Sequence, residues 1–149
     1  GFAGNIEPDN SQAKSGSGSA RIDAELAGVE ESGLAWKSIS KVIDIPGRIE
    51  AVRFWVKSAE ARAISVRLSD STGQTHSVRP DLAPGDDWQE VIVTDFESGP
   101  GHLKYGGADD GKVHWPATSL TFVIEKGLLN DGRAIVWIDA IEILPGATP

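Results

Sequence analysis

Short apolar runs alternate with turn-forming residues along most of this 149-residue chain. In the clearest run, 52–57, Val52, Phe54 and Val56 alternate with polar or aromatic side chains. A strand projects successive side chains to opposite faces, so this pattern predicts a strand with one buried face. Runs of this kind, closed by Gly, Pro, Asp or Ser, predict strands near residues 19–27, 34–44, 48–57, 62–69, 74–79, 88–94, 119–125 and 134–144.

The best-defined connection is a hairpin around the turn residues 70–73, which end in glycine. Glycine adopts the positive φ that such turns need. Pairing residue 69 with residue 75 puts residue 67 opposite residue 77. This register places apolar side chains on one face and hydroxyl and arginine side chains on the other.

The chain is predicted to form a single all-β domain, 1–149. Every apolar run is shorter than the roughly 10 to 12 residues that a helix usually needs, so at most one helical turn is expected, within 96–104. The polar segment 1–18 is expected to form loop or edge, and 145–149 resembles the start of a linker. About eight antiparallel strands in this length fit a jelly-roll β-sandwich of two antiparallel sheets best.

Composition excludes several classes of function. The formal charge is −8, from 22 acidic and 14 basic residues. Phosphate backbones and anionic lipids bind positively charged surfaces, so we expect neither nucleic acid nor a membrane as partner. The absence of Cys excludes disulfides and thiolate nucleophiles. The chain also contains no Met, which we interpret as a sign that it is a piece of a longer protein.

The motifs that usually carry catalysis do not occur in the chain. It contains no G-x-S-x-G, H-E-x-x-H or P-loop sequence. His76, His102 and His114 lie at spacings that do not bind zinc from one element. Asp and Glu are so frequent that no pair stands out as the acid and base of a glycosidase. We therefore expect the isolated domain to be noncatalytic.

Five tryptophans are a better lead, because a β-sandwich core needs only one or two. An indole ring stacks well on the apolar face of a sugar ring. We expect Trp88 and Trp137 to be structural, since the first opens an apolar run and the second lies inside one.

Trp55 shares its predicted strand face with Arg53 and Lys57. If this strand neighbours the hairpin, Arg67 and Arg79 join them in a basic and aromatic stripe. Because arginine donates a fork of hydrogen bonds to hydroxyls or to a uronate, the stripe is a candidate surface for a neutral or acidic polysaccharide. The alternative is a solvated face without a ligand.

The segment 105–116 is a second candidate site. It combines three glycines, two acids, a histidine and an aromatic residue near each end, which is typical of a shaped loop. A plain long connection is the alternative, and the sequence leaves open which surface binds. The candidate contact residues of this segment are Tyr105, Asp109, His114 and Trp115.

Asp139 interrupts an apolar strand near the end of the chain. A carboxylate there is costly unless it is paired or binds a cation. Calcium takes oxygen ligands from several segments, so we predict a structural Ca²⁺ site with Glu7 and Asp9 as candidates for further ligands. The alternative is an outward-facing Asp139 on an edge strand.

Four segments together resemble the jelly-roll carbohydrate-binding modules of bacterial polysaccharide-degrading enzymes. They are the strand 52–58, the hairpin 66–74, the turn 85–88 that leads into a strand, and the closing run 135–141. In order and spacing they span about residues 33–144.

The resemblance implies a noncatalytic module that holds an attached glycoside hydrolase or polysaccharide lyase on its polysaccharide. It implies a monomeric domain of a secreted, extracellular bacterial protein, with a structural calcium near both termini. The closing strand of such modules commonly carries two consecutive acids, whereas here Ala140 follows Asp139.

Two other functions stay open from the sequence. A structural or protein-interaction β-sandwich of a larger secreted protein would carry an apolar surface patch rather than an aromatic and polar one. A small lyase or hydrolase on the same fold is the other, because a fold alone does not determine function. The sequence identifies neither the polysaccharide nor the parent enzyme.

Overall fold

The computed structural model describes residues 3–9, 19–25, 36–42, 47–125 and 133–146, the first three ranges by strand position only. Every regular element in these ranges is a strand, so no helix that could cross a membrane occurs among them. The strands are β1 (Ala3–Asp9), β2 (Ser19–Glu25), β3 (Trp36–Val42), β4 (Ile49–Lys57), β5 (Ser65–Ser69), β6 (Thr75–Val78), β7 (Gln89–Val93), β8 (Leu103–Tyr105), β9 (Ser119–Glu125) and β10 (Arg133–Pro145).

The strands form two antiparallel sheets of five strands each. Sheet A has the order β1-β2-β10-β4-β7, and sheet B has the order β3-β9-β5-β6-β8. The chain therefore crosses from sheet A to sheet B between β4 and β5. This architecture confirms the predicted all-β sandwich of two antiparallel sheets.

The hydrophobic core lies between the two sheets. Strand β4 supplies Val52, Phe54 and Val56, which are fully buried, as the alternation of the sequence predicts. The rings of Phe54 and Phe122, from opposite sheets, meet edge to face with their centres 4.7 Å apart. No tryptophan belongs to the buried core among the residues described, although Trp115 packs against it.

The predicted hairpin register is confirmed. Strand β5 pairs with β6 so that Ser69 lies opposite Thr75 and Arg67 lies opposite Ser77. The turn between them contains Gly73 with φ of +84°. On its other side β5 pairs with β9, which makes β5 the central strand of sheet B.

Two segments form strands that the sequence pattern did not predict. Residues 3–9, expected as part of a loop or edge segment, form β1, which pairs along its whole length with β2 at the edge of sheet A. The short strand β8 begins within 96–104, the range in which at most one helical turn was expected, and 96–101 forms turns without a helix. Backbone hydrogen bonds to a neighbouring strand define both elements, and apolar periodicity does not reveal such pairing.

Strand β10 contains a one-residue bulge. Asp139 pairs with Trp55 and Glu142 pairs with Arg53, so β10 has one residue more than β4 between these pairs. Ala140 takes up the extra length with φ of +53°, in the left-handed region that disfavours residues with a Cβ.

Replacing Ala140 with glycine should therefore stabilise the domain. We expect Ala140→Gly to raise the free energy of unfolding by about 1 kcal/mol, because glycine has no Cβ to strain at positive φ. Urea unfolding followed by tryptophan fluorescence measures the change. Ala134→Gly is the matched control, since Ala134 is buried on the same strand without a positive φ. It should destabilise the domain, and a loss of stability in both variants would contradict the prediction.

Candidate functional site

Arg67 lies at the centre of the outward face of sheet B. Its neighbours in the same row are Ser77 on β6 and Thr121 on β9. The arginine side chain is half-buried among these strands. A guanidinium keeps its charge at any ordinary pH and presents its N–H donors in a planar fork. The middle of this face therefore offers a well-positioned cationic donor group.

Short hydroxyl side chains surround Arg67, and larger side chains lie at the β8 edge. Leu103 and Tyr105 on β8 pair with Ser77 and Thr75, and their side chains are 57% and 48% exposed. The short side chains form a floor, and the two large ones form its rim. We call this surface the sheet B trough; it consists of Arg67, Leu103, Tyr105 and the partly exposed hydroxyl residues Ser69, Thr75, Ser119 and Thr121. Ser65 and Ser77 lie in the same rows, but their side chains are buried beneath this surface.

The opposite edge of sheet B is strand β3. Its backbone register brings Ser40 into the row of Arg67, opposite Thr121. Four residues earlier on the same strand, Trp36 pairs with Glu125. The β3 side chains lie outside the described residues, so the sheet B trough comprises side chains of β9, β5, β6 and β8.

A buried carboxylate holds the loop 105–116 against the hairpin turn. Asp70 Oδ1 accepts hydrogen bonds from the backbone N–H and hydroxyl of Thr72 and from the backbone N–H of Gln74, at 2.7–3.1 Å. Its Oδ2 accepts from the backbone N–H of His114 and from the Gln74 side-chain amide, at 3.1 and 3.2 Å. Nε2 of the buried His76 ring lies 3.1 Å from the same oxygen. Asp70 therefore fixes both the turn and the far end of the loop.

Gln74 makes the second connection between turn and loop. Its buried side-chain amide donates to Asp110 Oδ1 at 3.2 Å and to the carbonyl of Lys112 at 3.0 Å. Its Oε1 accepts from the backbone N–H of Gly111 at 2.9 Å. The loop is thus ordered by hydrogen bonds to buried groups, and not by apolar packing alone.

The close approach of loop and turn requires glycine at position 107. Gly107 has φ of +51°, and a Cβ there would lie 2.3 Å from the backbone nitrogen of Gln74. A larger residue at this position would push the loop away from the turn. At least one glycine of the loop 105–116 is therefore required on steric grounds, because no Cβ fits at position 107.

The environment of Asp70 favours its charged form. Burial raises the pKa of the carboxyl, but the hydrogen bonds from Thr72, His76 and His114 outweigh burial and hold the pKa well below its ordinary value of 3.8. The carboxylate is therefore ionised throughout the neutral and mildly acidic range, where it accepts all its hydrogen bonds.

The loop residues proposed as ligand contacts have different environments. Tyr105 belongs to the sheet B trough, whereas Asp109 forms an ion pair with Lys104 at 2.7 Å. The half-exposed His114 places its ring Nε2 2.8 Å from Asp110 Oδ2. Hydrogen bonds from the backbone of Lys112 and from His114 lower the pKa of Asp110 to about 2.

Trp115 is half-buried and packs against the core, so only part of its ring faces outward. Of the four predicted loop contacts, Tyr105 is the one that the strand register places on sheet B with Arg67. The rest of the loop follows directly after this rim residue and is held against the hairpin turn.

The predicted stripe that joins Trp55 and Arg67 is wrong. Trp55 lies on β4 in sheet A, and Arg67 lies on β5 in sheet B, so the two side chains are on opposite outer faces of the sandwich. Arg79, which follows β6, likewise belongs to the sheet B side. The chain crosses to the other sheet after β4, and strand alternation contains no information about that crossing. Arg53 is on the Trp55 side, where its Nη2 lies 2.6 Å from Glu142 Oε2.

Asp139 lies on β10, in the interior of sheet A, which contradicts the edge-strand alternative. Its Oδ1 accepts a hydrogen bond from the backbone N–H of Ala140 at 2.7 Å. The register pairs Asp9 with Ser19 and Ala20 with Ile138, so the backbones of Asp9 and Asp139 lie at nearly the same level, with β2 between them.

The side chains of Glu7 and Asp9 lie outside the described residues. Among the residues described, no three His, Asp or Glu side chains converge on a metal site. The predicted calcium site therefore stays a prediction.

Sequence reasoning predicted the hydroxyl and arginine face of the hairpin, but it missed the contribution of β9 and the role of Asp70. Ser and Thr are ordinary in exposed strands, so only the pairing of β5 with β9 shows that Ser119 and Thr121 extend this face. Asp70 was assigned to a turn, where Asp is common for local reasons. A carboxylate can accept several hydrogen bonds at each oxygen, and this capacity is the property that could have indicated a larger role for Asp70.

Carbohydrate-binding modules have this fold. The family 11 module of the cellulosomal cellulase Lic26A-Cel5E of Clostridium thermocellum matches with a TM-score of 0.67 and 10% identity, over 100% of this chain and 85% of that chain. The CBM22-1 xylan-binding domain of Xyn10C from Paenibacillus barcinonensis matches with a TM-score of 0.53 and 18% identity, over 99% of this chain and 88% of that chain. TmCBM61, in complex with β-1,4-galactotriose, matches with a TM-score of 0.62 and 14% identity, over 97% of this chain and 87% of that chain.

These similarities are at the level of the fold. No protein-family model matches the chain, and no curated protein matches its sequence significantly. At identities of 10–18% the structural matches confirm the jelly-roll β-sandwich of carbohydrate-binding modules. What this domain binds has to be argued from its own surface.

Asp70→Asn tests whether the buried carboxylate orders the loop. An asparagine amide directs N–H donors at groups that are already donors, so we expect a loss of about 3 kcal/mol in the free energy of unfolding at pH 7. The folded-state pKa of Asp70 is lowered, so its contribution is present above the unfolded pKa near 4 and disappears as pH falls below it. Urea unfolding from pH 7 to pH 3 should show the difference between the wild type and the variant becoming smaller below pH 4, and the difference should vanish only in stronger acid, near the folded-state pKa.

Asp95→Asn is the matched control for this experiment. Asp95 accepts hydrogen bonds from Ser98 and from the backbone of Glu97 in an exposed turn. We expect a much smaller loss of stability there, because water competes for the hydrogen bonds of an exposed carboxylate. Equal losses at both positions would show that burial of Asp70 has no special role.

Proposed function

We propose that this domain binds a polysaccharide without cleaving it and holds an attached enzyme on that polysaccharide. The observation that carries the proposal is the sheet B trough, where Arg67 and short hydroxyl side chains lie beside the exposed ring of Tyr105. Sugar hydroxyls both donate and accept hydrogen bonds, and a pyranose ring has an apolar face. A polar floor with an aromatic rim matches both properties.

The rigid loop supports the same function. It continues directly from Tyr105 and is fixed to the hairpin turn through Asp70 and Gln74. A contact residue that is ordered before binding loses less conformational entropy when the ligand arrives. The Asp70 network therefore favours a preformed rim for the trough.

The fold supports the noncatalytic assignment and the attachment to an enzyme. One structural neighbour is a module of a cellulase, and another is a xylan-binding domain of Xyn10C. We infer that this domain belongs to a secreted glycoside hydrolase or polysaccharide lyase of a bacterium, and that it acts as a monomer. A glycan panel that includes neutral and acidic polysaccharides identifies the ligand.

We also propose a structural Ca²⁺ on sheet A, held by Asp139, Asp9 and Glu7. Carboxylate oxygens are the ligands that Ca²⁺ prefers, and the strand register supports the choice by bringing β1 and β10 to either side of β2. The ion would tie the first strand of sheet A to the last and would offset the repulsion between carboxylates.

Tyr105→Ala tests the trough. Loss of one stacking ring should weaken polysaccharide binding about tenfold, since an aromatic contact contributes roughly 0.5–1.5 kcal/mol beyond its buried area. Affinity electrophoresis in gels that contain each polysaccharide measures the change. Tyr105→Phe is the control, because it keeps the ring, and it should bind nearly as well as the wild type.

Arg67→Ala should also weaken binding in the same gels. The trough is not the binding site if Tyr105→Ala and Arg67→Ala both migrate like the wild type on a polysaccharide that retards it. Reducing-sugar or unsaturated-product release by the isolated domain would contradict the noncatalytic part of the proposal.

Chelation tests the calcium site. A ligand at about one hundred times its Kd stabilises a protein by roughly 2.7 kcal/mol, so EDTA should lower the melting temperature by about 5–10 °C and added Ca²⁺ should restore it. Asp139→Asn should remove this response, while Asp95→Asn should keep it. An unchanged melting temperature in EDTA would argue against the metal.

A further inference from the structure

Three of the five tryptophans gather on the outward face of sheet A. Strand β4 places Trp55 opposite Asp139 of β10 and Glu90 of β7. One row further along, Trp137 lies opposite Lys57. Trp88 immediately precedes β7, on the other side of the same lysine. Each of these tryptophans is half-buried.

The core does not explain these tryptophans. They do not belong to the buried cluster, which Phe54, Phe122 and aliphatic residues fill. The expectation that Trp88 and Trp137 are structural is therefore met only in part, because they pack on an outer surface. A large indole kept at the surface of a small domain needs another explanation.

Lys57 fixes two of the rings. Its ammonium lies 5.4 Å from the ring centre of Trp137 and 5.9 Å from that of Trp88, within the range of cation–π attraction. The ammonium and the two rings thus form one unit beside Trp55. Aromatic groups in fixed positions are typical of a surface prepared for a rigid ligand.

The charges on this face are largely balanced. Arg53 lies 2.6 Å from Glu142 and 4.0 Å from Glu90, so two carboxylates surround one guanidinium. Beside Arg53 in the same row is Ile92, whose side chain is 53% exposed. The result is an aromatic and apolar surface with paired polar groups between its rings. We call the set of Trp55, Trp88, Trp137, Lys57, Arg53 and Ile92, together with the two carboxylates paired with Arg53, the sheet A face.

We propose that the sheet A face is a second glycan-binding surface, which takes a neutral polysaccharide chain by stacking. Its rings match the apolar faces of pyranoses, and its paired Arg and Glu side chains match sugar hydroxyls as donors and acceptors. Its balanced charge offers no net attraction to uronates or sulfates. This surface goes beyond the proposed function of the trough, because the two surfaces lie on opposite sides of the sandwich.

Two binding surfaces on opposite sides of one domain allow it to cross-link polysaccharide chains, which a single surface does not. A monomer with two such faces binds two polysaccharide chains at once and cross-links them. Cross-linking also raises retention on a dense polysaccharide, because the second contact forms at high local concentration. Polysaccharide in solution should therefore become turbid or more viscous with the wild-type domain.

The experiment compares the wild type, Trp55→Ala, Tyr105→Ala and the double variant on neutral polysaccharides. Affinity electrophoresis measures retention, turbidity measures cross-linking, and thermal melting confirms that each variant folds. We expect Tyr105→Ala to keep part of its retention, and Trp55→Ala in that background to reduce the remainder about tenfold. Both single variants should lose turbidity. Trp55→Phe, which keeps an aromatic ring, is the matched control and should keep most of the retention and turbidity. Trp55→Val, which suits a strand and has no ring, replaces Trp55→Ala if the alanine variant does not fold.

Several results would overturn the proposal. Retention that depends on Tyr105 and is unchanged by Trp55→Ala or Trp55→Val leaves the trough as a binding site and removes the second surface. Sedimentation that shows a dimer, dissociated by Trp55→Ala without any change in glycan retention, assigns the face to self-association. Absence of retention of the wild type on every glycan removes the proposed function together with this inference.

Discussion

A single core between two sheets is the constraint on which the rest of the molecule depends. Each strand directs half of its side chains into that core, so the other half must form an outer surface. Phe54 and Phe122 meet in the middle from opposite sheets. Because the chain changes sheets after β4, Trp55 and Arg67 lie far apart although only eleven residues separate them in sequence. The domain consequently has two outward surfaces whose chemistry differs.

At the end of sheet B, the buried carboxylate of Asp70 orders the adjoining loop, as the hydrophobic core orders the strands. The loop 105–116 approaches the hairpin turn through hydrogen bonds that converge on Asp70 and Gln74. Such a network is directional, so it specifies one loop geometry where apolar packing would tolerate several. Gly107 completes this fit, because no Cβ can be accommodated at the closest approach. A rim of this kind suits a binding surface that must hold one shape.

Local pattern predicted most of the architecture and only part of the site. Alternation at 52–57 and the turn at 70–73 identify strand faces and the hairpin, because both depend on near neighbours in sequence. The local pattern could not show that β9 lies beside β5, so only the hairpin half of the hydroxyl floor around Arg67 was predicted. Tyr105 was predicted as a contact in a loop, and pairing with Thr75 places it on the sheet. Pairing between distant strands decides which side chains share a surface.

The two outer faces use arginine in different ways. On sheet A, Arg53 has carboxylates on both sides, so its donors are partly used and its charge is balanced. On sheet B, Arg67 lies in a row with Ser77 and Thr121, which are uncharged. A guanidinium among hydroxyls binds ligands whose polar groups match its N–H donors, whereas a guanidinium beside aromatic rings adds hydrogen bonds to a ligand that stacks on those rings. On the proposed functions, the trough therefore contributes selectivity and the sheet A face contributes adhesion. Because they point in opposite directions, a straight polysaccharide chain contacts only one of them.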